Sequence, residues 1–168
     1  MKNTKTRNTL VYITEASAIA ALYVAVTVAI GPLGSAAIQC RISEAMCILP
    51  IFTPAAIPGL TIGCLISNFA TGCLWQDVLF GTLATLIGAI GARLLRRVWW
   101  LTPLPTVLAN TLIVPFVLVY AYHVPDGIGF LMLTVGIGEV ISAYMLGTAL
   151  YFALRKNARY IFRNANNG

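Results

Sequence analysis

The chain has 168 residues, 59% of them hydrophobic and only 10% charged, with a mean hydropathy of +0.85 and a formal net charge of +6. A soluble domain carries about 25% charged residues, so the composition excludes an ordinary soluble domain and indicates one integral membrane domain over residues 1–168. The positive charge is not a nucleic-acid footprint, because the basic residues form three short blocks beside apolar stretches: Lys2/Lys5/Arg7, Arg93/Arg96/Arg97 and Arg155/Lys156/Arg159/Arg163. That is the pattern of cytoplasmic anchors under the positive-inside rule.

In chain order, the apolar runs predict spans over Leu10–Ile30, Ile42–Thr53, Ala55–Thr71, Asp77–Leu95, Pro105–Tyr122 and Leu131–Leu154, with short basic tails over about residues 1–9 and 155–168. The first run is about 20 residues, longer than the ~7–15 of a signal-peptide core, and is read as a membrane span. The second is short and bounded by Pro50, Pro54 and Pro58, so residues 42–71 also read as one long kinked span. Charge separates the two readings. Both ends are basic, which requires an even number of crossings, and six crossings also put the Arg93–Arg97 cluster on the cytoplasmic side. The expected fold is an all-α bundle of six transmembrane helices with both termini cytoplasmic.

This topology gathers Gln39, Arg41, Glu44, Asn68, Trp75, Gln76, Asp77, His123 and Asp126 toward the outer face, with Glu139 about two turns into the last helix. From Ile42 to Ala92 the only charged side chains are Glu44 and Asp77. Ionisable groups in a membrane cost about 2.5–3.5 kcal/mol each on insertion scales and face a cavity, a partner or a pathway. Several plainer roles compete: an i,i+3 ion pair for Arg41 with Glu44, an N-cap for Asp77, and an interfacial belt position for Trp75. Small residues recur along the first helix (Ala16, Ser17, Ala20, Ala21, Ala25, Ala29), the fourth (Gly81, Thr85, Gly88, Ala92) and the sixth (Gly136, Ala143, Gly147), a spacing that lets membrane helices approach closely.

Some chemistries have no residues to perform them. With no lysine between Lys5 and Lys156, a Walker A loop is impossible, so ATP is not hydrolysed here by that mechanism. His123 is the only histidine, and Cys40, Cys47, Cys64 and Cys73 show no CxxC spacing and read as small buried hydrophobes rather than metal or redox groups. No metal or cofactor is expected.

The phrases Gln39-Cys-Arg-Ile-Ser-Glu-Ala45, Pro50-Ile-Phe-Thr-Pro-Ala-Ala-Ile-Pro-Gly59, Gly63-Cys-Leu-Ile-Ser-Asn68, Asp77-Val-Leu-Phe-Gly-Thr-Leu-Ala-Thr85, Asn110 and Gly136-Ile-Gly-Glu139 together resemble the QueT family of queuosine-precursor transporters. These are similar to the substrate-binding S components of energy-coupling-factor transporters. The resemblance implies a six-helix S component that captures a 7-deazaguanine from outside and works with a membrane T component and two cytoplasmic ATPases. It also implies a small-residue docking motif on the first helix, which Ala16/Ala20 and Ala21/Ala25 both match. For such a ligand, Glu139 is the first candidate to accept the adjacent N–H donors of a guanine-like edge. Asn68 and Asn110 are candidates for the carbonyl and ring nitrogens, Trp75 for stacking, and Glu44 or Asp77 for a cationic aminomethyl group. Arg41 has no attractive role toward a cation. An S component for another vitamin, an intramembrane enzyme using the outer carboxylates, and a structural subunit are the competing readings.

Overall fold

Helix α1 (Lys2–Gly34) is followed by a 3-10 segment (Ile42–Ile51) and by α2 (Ala56–Ala70), α3 (Trp75–Leu94) and α4 (Leu104–Tyr120). The last long helix begins as α5 (Ile128–Glu139), passes through a π-helical segment (Val140–Leu146) and ends as α6 (Gly147–Leu154), with one further turn, α7 (Ala158–Ile161). This computed structural model describes residues 2–34 and 41–162. Gln39, Cys40 and Arg163 lie outside the described residues, as do the side chains of Lys2, Lys5 and Arg159. No strand occurs among the described residues.

Four stretches are apolar and long enough to cross a membrane: Thr6–Ile30, Trp75–Leu94, Trp99–Tyr120 and Ile128–Leu154. The remaining two elements of the six-helix bundle are short. At about 2.0 Å per residue for a 3-10 helix and 1.5 Å for an α-helix, the 3-10 segment and α2 span only about 20 and 22 Å. Residues 52–55 reverse the chain between them, which replaces the single kinked span with two antiparallel legs.

The 3-10 segment contains Pro50, and every residue from Ser43 to Pro50 is buried. A 3-10 run of this length is uncommon. It survives here because irregular backbone at membrane depth is tolerated where protein covers it, and α1, α2, α3, α6 and the π segment all pack against it.

Glycines set how closely the surrounding helices approach. A Cβ on Gly59 would lie 2.8 Å from the Ala16 carbonyl oxygen, and one on Gly63 would lie 2.8 Å from Tyr23 Cβ. The Gly59-x-x-x-Gly63 pair on α2 therefore receives α1 backbone to backbone, as small-xxx-small faces do in membranes. On α3, Gly88 and Gly91 do the same for Thr106 and Pro105 at the start of α4, where added Cβ atoms would come within 2.5 Å.

Both chain ends lie at one end of the bundle. Glu15 of α1 accepts a 2.7 Å hydrogen bond from Thr53, while Ala158 and Phe162 join a core cluster that Phe52 packs against. Arg93 donates to the Pro50 and Ile51 carbonyls at 2.9 and 3.3 Å, satisfying groups that the last turn of the 3-10 segment leaves open. Phe52, Trp99, Tyr151 and Phe162 stack beside it. Arg41 marks the opposite end.

Candidate functional site

Two linked layers of polar side chains occupy the bundle. The upper layer closes the Arg41 end. Arg41 pairs with Asp77 on α3 at 3.6 Å and donates to Asn68 Oδ1 on α2 at 3.3 Å. Tyr122, after α4, donates to Asp77 Oδ2 at 3.2 Å and accepts from the Leu74 backbone N–H at 3.1 Å. Gly81 lies one turn below: a Cβ there would lie 3.1 Å from the Asn68 amide nitrogen and 3.4 Å from Asp77 Oδ1. A larger residue would displace both.

This layer corrects two expectations. Arg41 is not paired with Glu44: the turn entering the 3-10 segment brings the Glu44 N–H to the Arg41 carbonyl at 2.9 Å, and the two side chains take different partners. Asp77 is not the N-cap of α3. Leu74 holds that position, and Asp77 is a first-turn acid whose charge suits the positive end of the helix.

The lower layer is buried at mid-bundle. Tyr23 of α1, itself 1% exposed, donates a 2.8 Å hydrogen bond to Glu44 Oε1. Glu139, the last residue of α5, is 4% exposed; its Oε2 has no hydrogen-bond partner among the described residues. The Glu44 carboxylate, the Asn110 amide and Arg41 are the side chains that act on that carboxylate. Glu139 lies about 17 Å along α5, three turns down rather than the expected two, because α5 begins at Ile128. That depth brings it to Asn110 of α4.

Tyr23, Glu44, Cys47, Leu60, Thr85, Ala89 and Thr106 line a cleft too narrow for a water-sized sphere. Thr85 donates to Cys64 Sγ at 3.2 Å. The helix changes character directly below Glu139, where the π segment begins, and π segments concentrate at functional sites.

Of the residues singled out from sequence, Arg41, Asn68 and Asp77 meet in the upper layer, and Glu44, Asn110 and Glu139 in the lower. Trp75 joins neither: it is the first residue of α3 and 69% exposed, the position of an interfacial belt tryptophan. On α1, Ala16 and Ala20 face Gly59 and Gly63, whereas Ser17, Ala21 and Ala25 are exposed. Only the second small-residue register is open.

Tyr23 and Tyr122 were missed. Tyr23 was legible in principle as a polar-tipped residue continuing the Ala16/Ala20 face opposite a GxxxG pair. Tyr122 carried no local signal.

A family model described as "QueT transporter" matches residues 13–156. The chain is also 38% identical over 89 residues to a protein of Lactococcus lactis subsp. cremoris (strain MG1363) named "Queuosine precursor transporter QueT". That alignment covers 52% of this chain, which spans about half (50%) of the relative's length. No solved structure matches. With several apolar helices of membrane-crossing length and a family match over most of its residues, the chain is a multi-pass membrane protein belonging to the QueT transporter family.

Proposed function

We propose that this chain is the substrate-capturing S component of an energy-coupling-factor importer. Its cargo is a queuosine precursor, a 7-deazaguanine such as queuine or its aminomethyl or cyano precursors. The observation that carries the reading is the buried Glu139 carboxylate with an unpartnered oxygen beside Asn110. A carboxylate accepts two parallel N–H bonds from a guanine-like edge, and an amide serves the adjoining carbonyl or nitrogen. The Lactococcus relative's name supports the cargo class.

Sidedness follows from charge. Arg7, Arg93, Arg96, Arg97, Arg155 and Lys156 all belong to the end holding the chain termini, so the positive-inside rule puts that end in the cytoplasm. The Arg41–Asp77–Tyr122 layer then faces outside, above the site. In this reading ATP is used by partner ATPases; none of Lys2, Lys5 and Lys156 follows the glycine that a Walker A loop requires. A membrane T component docks on the exposed Ser17/Ala21/Ala25 stripe of α1.

Mass spectrometry of the small molecule that co-purifies with the chain tests the cargo. Titration with 7-deazaguanines, riboflavin and thiamin follows. A bound deazaguanine is expected; binding of a vitamin with no deazaguanine bound overturns the assignment. Product formation by the purified chain alone would make it an enzyme instead.

A further inference from the structure

The lower layer holds two buried carboxylates and, among the described residues, no cation of its own. Glu44 and Glu139 are 3% and 4% exposed, and the Glu44 charge acts on Glu139. The titratable and charged groups around them are few. Tyr23 faces them from α1, Cys47 from the 3-10 segment and Cys64 from α2; α4 contributes only neutral Asn110 and Thr106. Arg41 is the nearest cation, and it already carries Asp77 at 3.6 Å and Asn68 at 3.3 Å. Its charge also reaches Glu44 and Glu139, but one arginine set against three carboxylates leaves that pair under-compensated.

Two ionised carboxylates at membrane depth, without a cation, are the costly arrangement. A shared proton or a cationic ligand relieves it. Resting on the reading of this site as a deazaguanine site, we propose that Glu44 and Glu139 hold one proton between them in the free protein and exchange it for the ammonium group of an aminomethyl-bearing base. Glu139 with Asn110 then takes the guanine-like edge, and Glu44, held by Tyr23, takes the ammonium.

The charges balance. The free pair carries one negative charge (two carboxylates, one proton). The loaded pair carries two against one positive charge from the ligand, and one proton leaves to solvent. The buried layer therefore has the same net charge empty and loaded, so neither state strands an extra charge in the bundle. Selectivity follows from the same count. A neutral 7-cyano base displaces no proton and gains no ion pair, whereas the cationic base gains a charge-assisted hydrogen bond of roughly twice the neutral strength.

The test is calorimetric titration of the purified full chain with 7-aminomethyl-7-deazaguanine and 7-cyano-7-deazaguanine, in buffers of different ionisation enthalpy. About one proton should be released per aminomethyl base bound and none per cyano base. The aminomethyl affinity should rise about tenfold per pH unit while the pair remains protonated, with the cyano affinity flat. Glu44→Gln should abolish the proton release and the aminomethyl preference while cyano binding persists, which also shows that the variant is folded. Aminomethyl binding without proton release, or tighter binding of the cyano base, overturns the exchange and leaves the cargo assignment standing. Failure of both bases to bind overturns the cargo assignment and the exchange with it.

Discussion

Tyr23 on α1 and Glu44 on the 3-10 segment are joined by a 2.8 Å hydrogen bond in which the phenol donates to a buried carboxylate. The bond ties the helix that carries the exposed small-residue stripe to the segment that carries the site. Tyr23 is fixed from behind as well, since its Cβ lies where a side chain on Gly63 would have to go. Position and chemistry are thus set by one residue. Hydrogen bonds to charged groups contribute about 1.5–3 kcal/mol, so Tyr23→Phe should lower the melting temperature in detergent and weaken cargo binding together. Unchanged melting would mean that the bond contributes nothing to the fold.

Glu139→Gln keeps the size of the side chain and removes its charge. It should weaken deazaguanine binding by at least about tenfold, or about 1.4 kcal/mol, while the melting temperature holds or rises, because a neutral amide is cheaper to bury than a carboxylate. Binding titration and thermal melting on the same preparation decide the matter. Unaltered affinity would remove Glu139 from the site.

Gly63→Ala offers a purely steric test of the α1–α2 contact. The added Cβ would lie 2.8 Å from Tyr23 Cβ and 3.1 Å from the Ala20 carbonyl oxygen, and neither atom sits at the end of a flexible side chain. Helix α1 must move as a body, at about 1–3 kcal/mol for overpacking, and Tyr23 moves with it. Gly129→Ala is the control: it meets nothing within 4 Å and should be neutral or mildly stabilising, as expected for removing a helical glycine. Equal melting of the two variants would contradict the close approach.

How much of this was legible beforehand depended on range. The three basic blocks and six apolar runs sufficed for the number of helices, because membrane depth and charge asymmetry act on each segment separately. The secondary structure of Ile42–Ile51 was not legible, since a 3-10 run is selected here by burial on all sides and no local propensity announces that. Arg41 illustrates the same limit. Its sequence neighbour Glu44 was the obvious partner, yet Asp77, thirty-six positions away, takes the salt bridge. Glu139 was legible as a lone acid in an apolar run, while its meeting with Asn110 depended on where α5 starts and how α4 packs.

Tyr122 gives the upper layer a pH signature. Burial is the main cause that pushes its phenol from 10.0 up to about 12, with the Asp77 charge adding to it. Unfolded, the phenol ionises near its ordinary value of about 10. The sign follows: the folded state keeps a proton that the unfolded state gives up. Tyr122 therefore contributes stability that is fully present below about pH 10 and is lost as pH rises toward about 12. Thermal melting across that window should decline more in the wild-type chain than in Tyr122→Phe. Parallel declines would place the phenol in ordinary solvent.

The open register of α1 gives the last prediction. Ala16 and Ala20 are taken up by Gly59 and Gly63, while Ala21 and Ala25 are exposed. A small side chain on an exposed membrane face admits the backbone of a neighbouring helix, and a large one holds it away. Ala21→Leu and Ala25→Leu should therefore leave cargo affinity and melting unchanged, because neither side chain packs inside the chain. Uptake in cells containing the partner subunits should fall several-fold. Ala20→Leu should behave differently, lowering the melting temperature first, since its carbonyl lies against Gly63 and its side chain is buried. Normal uptake by both exposed variants would move the docking surface off α1. Loss of cargo binding in either would mean that the face reports on the site and not on a partner.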